Sequence, residues 1–185
     1  MATSTASGVS ALTTWNLDPA HTLVEFSARH MMITTVKGRI TDVTGTIRMD
    51  EANPAASGVE ATMKAASIDT RTDQRDTHLR SADFLDAEHY PEITFRSTKV
   101  EPAGDGRFKV TGDLTIHGVT KPVVLDVTQE GRSKDPWGGE RVGFSATAHI
   151  DRRDFGLEWN VPLETGGVLV GHEVRISIEA QAVKQ

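Results

Sequence analysis

The sequence predicts an all-β protein of eight antiparallel strands closed into a barrel. Three observations carry this. Apolar and polar residues alternate with a period of two in eight segments from Leu23 to Ala180. The links between successive segments are short and rich in Gly, Pro, Asn and Asp, apart from one charged stretch, and short links imply antiparallel neighbours. Eight amphipathic strands can form a sandwich or a barrel, and closure removes the edges that invite aggregation.

The elements follow in chain order. In Leu23–His30, Val24, Phe26 and Ala28 alternate with Glu25, Ser27 and Arg29. Val43–Met49 repeats the pattern through Val43, Gly45, Ile47 and Met49, and Val59–Ala65 through Val59, Ala61, Met63 and Ala65. Asn53-Pro54 to Gly58 supplies the turn between these two. Ile93 and Phe95 mark a fourth strand. Phe108, Val110, Gly112, Leu114 and Ile116 mark a fifth, preceded by Gly104-Asp105-Gly106. Val123, Leu125 and Val127 form the sixth after Gly118 to Pro122. The turn Pro136 to Gly139 then leads to Val142, Phe144, Ala146, Ala148 and Ile150. Val174, Ile176, Ile178 and Ala180 form the last strand.

One stretch breaks the period. Thr70 to Tyr90 is charged and suits one or two short helices between the third and fourth strands, Gln74–Arg80 capped by Asp73 and Ala82–Asp86 capped by Ser81. Met1 to Thr14 is rich in Ala, Ser, Thr and Gly, without Lys or Arg and without a signal-peptide core, and is expected to be a disordered lead-in to a single domain over residues 15–185. A cytoplasmic location follows as an expectation. No window approaches the ~18 apolar residues of a spanning helix.

Composition excludes several chemistries. The 185 residues include no cysteine, which removes disulfides, thiolate metal sites and cysteine nucleophiles. The net charge is −6, with no basic run, against nucleic acid as a partner. His172-Glu173 starts an HExxH pattern, but position 176 is Ile, so the second zinc ligand is missing. No GxSxG or P-loop is present, and Asp154-Phe155-Gly156 lacks every other kinase motif. Neither a catalytic residue nor a metal is expected.

The inward faces carry many small residues, among them Ala28, Gly45, Ala61, Gly112, Ala146 and Ala148, and aromatics are only 5% of the chain. Interiors must reach close-packed density. Either large neighbours and the inserted helices fill this space, or it forms an apolar ligand cavity.

The segments WNLDPAHTLVEFSARH at Trp15–His30, VKGRITDVTGTI at Val36–Ile47 and SIDTRTDQRDTHLRSADFLDAEHYPEITFRST at Ser67–Thr98, with GDLTIHGVTKPV at Gly112–Val123 and FSATAHIDRRDFGLEWN at Phe144–Asn160, resemble the YceI-like family of polyisoprenoid-binding, lipocalin-like proteins. The resemblance runs from Trp15 to about Ala182 and implies an eight-stranded antiparallel lipocalin-like barrel. It implies binding of a long isoprenoid, such as a polyprenyl lipid or isoprenoid quinone, or a similar fatty chain, without catalysis and with no cofactor beyond that lipid. Phe26, Ala28, His30, Met63, Phe95 and Leu114 are candidate cavity residues on the barrel wall, with Phe144, Ala146, Ala148, Phe155 and Trp159. Phe84, Leu85 and Tyr90 would form the apolar underside of the inserted lid. Arg75, His78 and Arg80 crowd the same segment, and a polar head group is one reading of them, ion pairs tying the lid to the barrel another. Asp151, Arg152 and Arg153 read as structural pairs at the rim. The resemblance also suggests a homodimer, and Trp137 is an aromatic expected at the surface.

Overall fold

The computed structural model describes residues 12–185. Its strands are β1 (Leu12–Leu17), β2 (Leu23–His30), β3 (Thr34–Ile40), β4 (Val43–Asp50), β5 (Gly58–Lys64) and β6 (Ile68–Asp69). After helix α1 (Asp73–Arg80) come β7 (Glu92–Gly104), β8 (Arg107–Ile116), β9 (Val119–Lys134), β10 (Glu140–Asp151) and β11 (Val170–Lys184). All pairings are antiparallel, and the sheet closes where β1 meets β11.

The eleven strands make an eight-stranded closed barrel because three barrel strands are broken in two. β1 and β2 both pair with β11, β1 along its C-terminal end and β2 along its N-terminal part, so they run as one interrupted strand. β3 pairs with β2, and β4 with β1, which makes β3 and β4 a second interrupted strand. β5 pairs with β4, and β6 with β3, giving the third. The first break is the 3-10 turn Pro19–His21, where proline lacks a ladder donor and Asp18 Oδ1 accepts from Ala20 N at 3.0 Å. The other two breaks lie side by side and bond to each other. Thr41 N and Asp42 N donate to Ser67, and Lys64 N donates to Asp42 O at 3.0 Å.

Each of the eight expected strands falls on one barrel strand, but the segments are longer than the alternation indicated. β1 and β3 lack a sustained apolar face in sequence. In β3, Gly38 is buried because the Phe26 ring fills the place where its side chain would be. β1 also corrects the proposed lead-in, since Leu12, Thr13 and Thr14 pair with Asp50, Met49 and Arg48. The remainder of that lead-in lies outside the described residues. The first inserted helix forms, beginning at Asp73 with Thr72 at the cap position. The second does not: residues 82–86 form turns in which Phe84 N and Asp86 N donate to Ser81 O.

The main core groups Phe95, Val110, Leu114, Ile116, Phe155 and Leu157 with their neighbours. A second cluster at the opposite end centres on fully buried Trp15, Val142 and Ala182. Arg132 and Lys184 lie over the Trp15 ring, at 5.4 and 6.0 Å from its centroid.

Candidate functional site: an apolar cavity through the barrel

The inward parity of the strands encloses a cavity of about 710 Å³. Val24, Phe26 and Ala28 of β2 face it, as do Ile47 and Met49 of β4 and Val59, Ala61 and Met63 of β5. Phe95, Leu114, Leu125 and Val127 continue the wall through β7 to β9, and Phe144, Ala146, Ile176 and Ile178 complete it. Small inward residues do two different things here. Ala28, Ala61 and Ala146 border the cavity. The space opposite Gly112 is instead taken by the Phe95 ring, and that opposite Gly45 by Leu17.

The two ends differ in chemistry. One end is rimmed by Glu51, Pro54, Ser57, Gln129 and Arg132. Arg132 Nη2 and Glu51 Oε1 form an ion pair at 2.5 Å there. The β9–β10 turn on the same side is held by Asp135, which accepts from Trp137 N and Gly139 N, and its Trp137 side chain is 86% exposed. Arg141 bonds both Asp135 and Asp18, at 3.0 and 2.8 Å. Hydrogen bonds from His21 and Arg141 hold the Asp18 carboxyl below its ordinary range, and those from Gly139 and Arg141 do the same for Asp135.

The other end is capped by the segment around α1 and by residues following β10. Leu79, Phe84, Leu85, Arg152, Leu157 and Val170 form this base. Arg152 is 3% exposed. Its Nε donates to Gly171 O at 2.9 Å, Nη1 to Leu157 O at 2.6 Å and Nη2 to Val170 O at 3.3 Å. Its Cζ lies 5.9 Å from the Phe84 ring centroid. Burial lowers its pKa, yet an arginine stays charged in a protein.

The structure places the expected cavity residues as follows. Phe26, Ala28, Met63, Phe84, Leu85, Phe95, Leu114, Phe144 and Ala146 border the cavity. Ala148 and Phe155 are packed in the main core instead. His30 pairs with Val170 at the end of β2, outside the lining. Tyr90 is exposed and meets His117 edge-on, its ring covering Gly118. Trp159 packs behind the lid, with ring centroids 4.6 Å from His78 and 5.3 Å from Phe84.

Arg75, His78 and Arg80 of the inserted segment are not among the residues that line the cavity. Arg75 donates to Thr70 Oγ1 and Thr70 O, both at 2.8 Å, and Arg80 donates to Ala66 O and Ile68 O. His78 Nε2 lies 2.9 Å from Asp83 Oδ2. Buried Asp76 accepts from the amide and hydroxyl of Thr70. These contacts tie α1 to β6 and to the residues on either side of it. At the end of β10, Asp151 and Arg153 form the expected pair, and the Arg153 hydrogen bonds hold the Asp151 carboxyl down to about 2. Arg152 departs from that expectation, because its side chain turns inward. In sequence it was one of three charged residues at a strand end, and nothing there distinguished it from its neighbours. The parity that pointed to Phe26 and Ala146 would also have given Val24, Ile47, Val127 and Ile178.

Among the described residues, no group of three His, Asp or Glu side chains stands close enough to hold a metal ion. His149 Nδ1 lies 2.8 Å from Glu173 Oε1 on the barrel exterior, a two-residue contact only. No helix among them is long and apolar enough to cross a membrane.

Residues 15–182 match the YceI-like domain. Protein YceI of Escherichia coli O6:H1 is 42% identical over 165 residues, 89% of this chain and 83% of that protein. The crystal structure of BcnA from Burkholderia cenocepacia superposes with a TM-score of 0.77 at 25% identity, covering 89% of this chain and 98% of the other. A polyisoprenoid binding domain from Saccharophagus degradans, implicated in plant cell wall breakdown, shares the fold at a TM-score of 0.68 and 15% identity, over 94% of this chain and 99% of that one.

Proposed function

The chain belongs to the YceI-like family, and from that premise we propose that it binds a long isoprenoid or similar lipid inside the barrel, without catalysis, for carriage, storage or sequestration. The observation that carries this reading is the cavity of about 710 Å³, walled almost wholly by aliphatic and aromatic side chains along the barrel. Ligand sites commonly fall between ~300 and ~1,000 Å³. An apolar wall suits a chain with no polar groups along its length. Each buried CH₂ contributes about 0.8 kcal/mol, so a chain of several isoprene units can bind tightly without specific polar contacts. The polyisoprenoid-binding domain of Saccharophagus degradans supplies the class of ligand that such a barrel suits.

The reading needs no cofactor. Among the described residues, the side chains that wall the cavity are overwhelmingly hydrocarbon. Mass spectrometry of an organic extract of purified protein tests the proposal. An intact long-chain lipid of one mass, near one per barrel, is the expected result. Turnover products or a coloured, redox-active ligand would instead point to an enzyme or a redox barrel. An empty extract, with no change in melting temperature on adding prenyl lipids, would overturn lipid binding.

A further inference from the structure

Two arginines border the cavity, and they are placed in opposite circumstances. Arg132 stands at the open rim, is partly exposed and is neutralised by Glu51. Arg152 stands at the capped base and is buried. Among the described residues no carboxylate stands within ion-pair distance of Arg152; the Asp151 charge acts on it only from farther off and is itself bonded by Arg153. A guanidinium has five N–H donors. Three are occupied by the carbonyls of Gly171, Leu157 and Val170, the last at a long 3.3 Å. Two N–H donors are not accounted for by these bonds, on a residue that lines the base of the cavity.

A buried charge without an opposite charge is costly, and carbonyl dipoles offset only part of that cost. The nearby Asp151 and Arg153 charges act on Arg152 with opposite signs. Phe84 offers its ring face at 5.9 Å, and Leu79, Leu85, Leu157 and Val170 are hydrocarbon. A cation fixed in place by three carbonyls, with donors to spare and no acid bonded to it, is matched by an oxyanion arriving on a ligand. Bonds between a guanidinium and a carboxylate are among the strong hydrogen bonds, and low polarity around them strengthens the attraction.

The geometry points to Arg152 as the head-group residue of the cavity: the cargo is an amphiphile carrying a carboxylate, bound head inward with its oxyanion on Arg152 and its chain running toward the Arg132–Glu51 rim. This rests on the proposed lipid-binding reading and adds to it an orientation and a head-group charge. It also separates head-group recognition from Arg75 and Arg80, whose donors are bonded to backbone and threonine oxygens outside the cavity.

The test compares two probes of equal chain length, hexadecanoate and hexadecan-1-ol, titrated into delipidated full-length protein. One charge-assisted contact gives the acid an advantage of at least about tenfold. That preference should persist in Arg132→Gln, which removes the cation at the rim. It should vanish in Arg152→Met, with the affinity for the alcohol retained. If Arg152→Met fails to fold, the wild-type protein and Arg132→Gln decide between them. Equal affinity of the wild-type protein for acid and alcohol overturns the assignment while leaving lipid binding intact. Loss of the preference in Arg132→Gln also overturns it, by placing the head at the rim. Failure of both probes to bind would remove the lipid-binding reading and this inference with it.

Discussion

Glu51 and Arg132 meet across the width of the barrel. Glu51 follows β4 and Arg132 lies in β9, four strands away in either direction around the ring, yet Nη2 and Oε1 are 2.5 Å apart. The pair therefore bridges opposite walls at the open rim rather than joining neighbours. Glu51 is 62% exposed and Arg132 35%, so the pair contributes roughly 0–1 kcal/mol to stability. Its position over the cavity matters more than its strength.

From this geometry, Glu51→Gln should leave the melting temperature within about 3 °C of wild type. Exchange of a bound fluorescent lipid should become faster, because the bridge over the entrance is weakened. Stopped-flow displacement measures this. Unchanged exchange with a substantially lower melting temperature would assign the pair a purely structural role.

Two alanines on one strand separate cavity from core. Ala146 borders the cavity, whereas Ala148, two residues on, is packed in the main cluster. Ala146→Phe should keep or raise the stability of the empty barrel and strongly weaken lipid binding, since ring and ligand compete for one space. Ala148→Phe should cost about 1–3 kcal/mol or more by overpacking. Thermal denaturation of both variants without lipid checks the pair. Comparable destabilisation by both would mean that the wall at Ala146 is already filled.

Gly112 provides a further packing test. A Cβ there would collide with the Phe95 ring and with the backbone oxygen of Arg96. The oxygen belongs to the neighbouring strand and cannot swing aside. Gly112→Ala should therefore destabilise by about 1–3 kcal/mol, read by denaturant unfolding. A neutral effect would show that β7 and β8 separate more readily than their ladder suggests.

The Asp151 carboxyl gives a pH dependence with a definite sign. Its folded value, about 2, lies below the ordinary 3.8 because Arg153 donates to it from both side chain and backbone. A depressed carboxylate stabilises the fold above its unfolded pKa, and that contribution is lost as pH falls through the folded pKa. The stability difference between wild type and Asp151→Asn should thus be constant above about pH 4 and shrink between pH 4 and 2. A difference that grows on acidification would contradict the assigned ion pair.

The alternating faces made most of the barrel legible in sequence. Val24-Phe26-Ala28 and Phe144-Ala146 announced both the strand and the side that turns inward. The breaks were not legible, because they arise from contacts distant in sequence, such as Ser67 with Thr41 and Asp42. Alternation marks a face without saying what lies opposite it. Ala146 and Ala148 share parity, yet one meets the cavity and the other meets the packed base. Gly112 looked like missing volume, although Phe95 from the adjacent strand occupies it. Arg152 was hidden for a similar reason. Its carbonyl partners lie at Leu157, in the long excursion after β10, and at Val170 and Gly171, where β11 begins ahead of its alternating stretch.

The central claim is that the barrel interior holds a long apolar chain, and a chain-length series tests it most directly. Prenols of increasing length are titrated calorimetrically into delipidated protein. Affinity should rise by at least about tenfold for each isoprene unit added, since each buried CH₂ contributes about 0.8 kcal/mol, and should level off once the cavity is full. An affinity that is independent of chain length, or no binding at any length, would contradict the account.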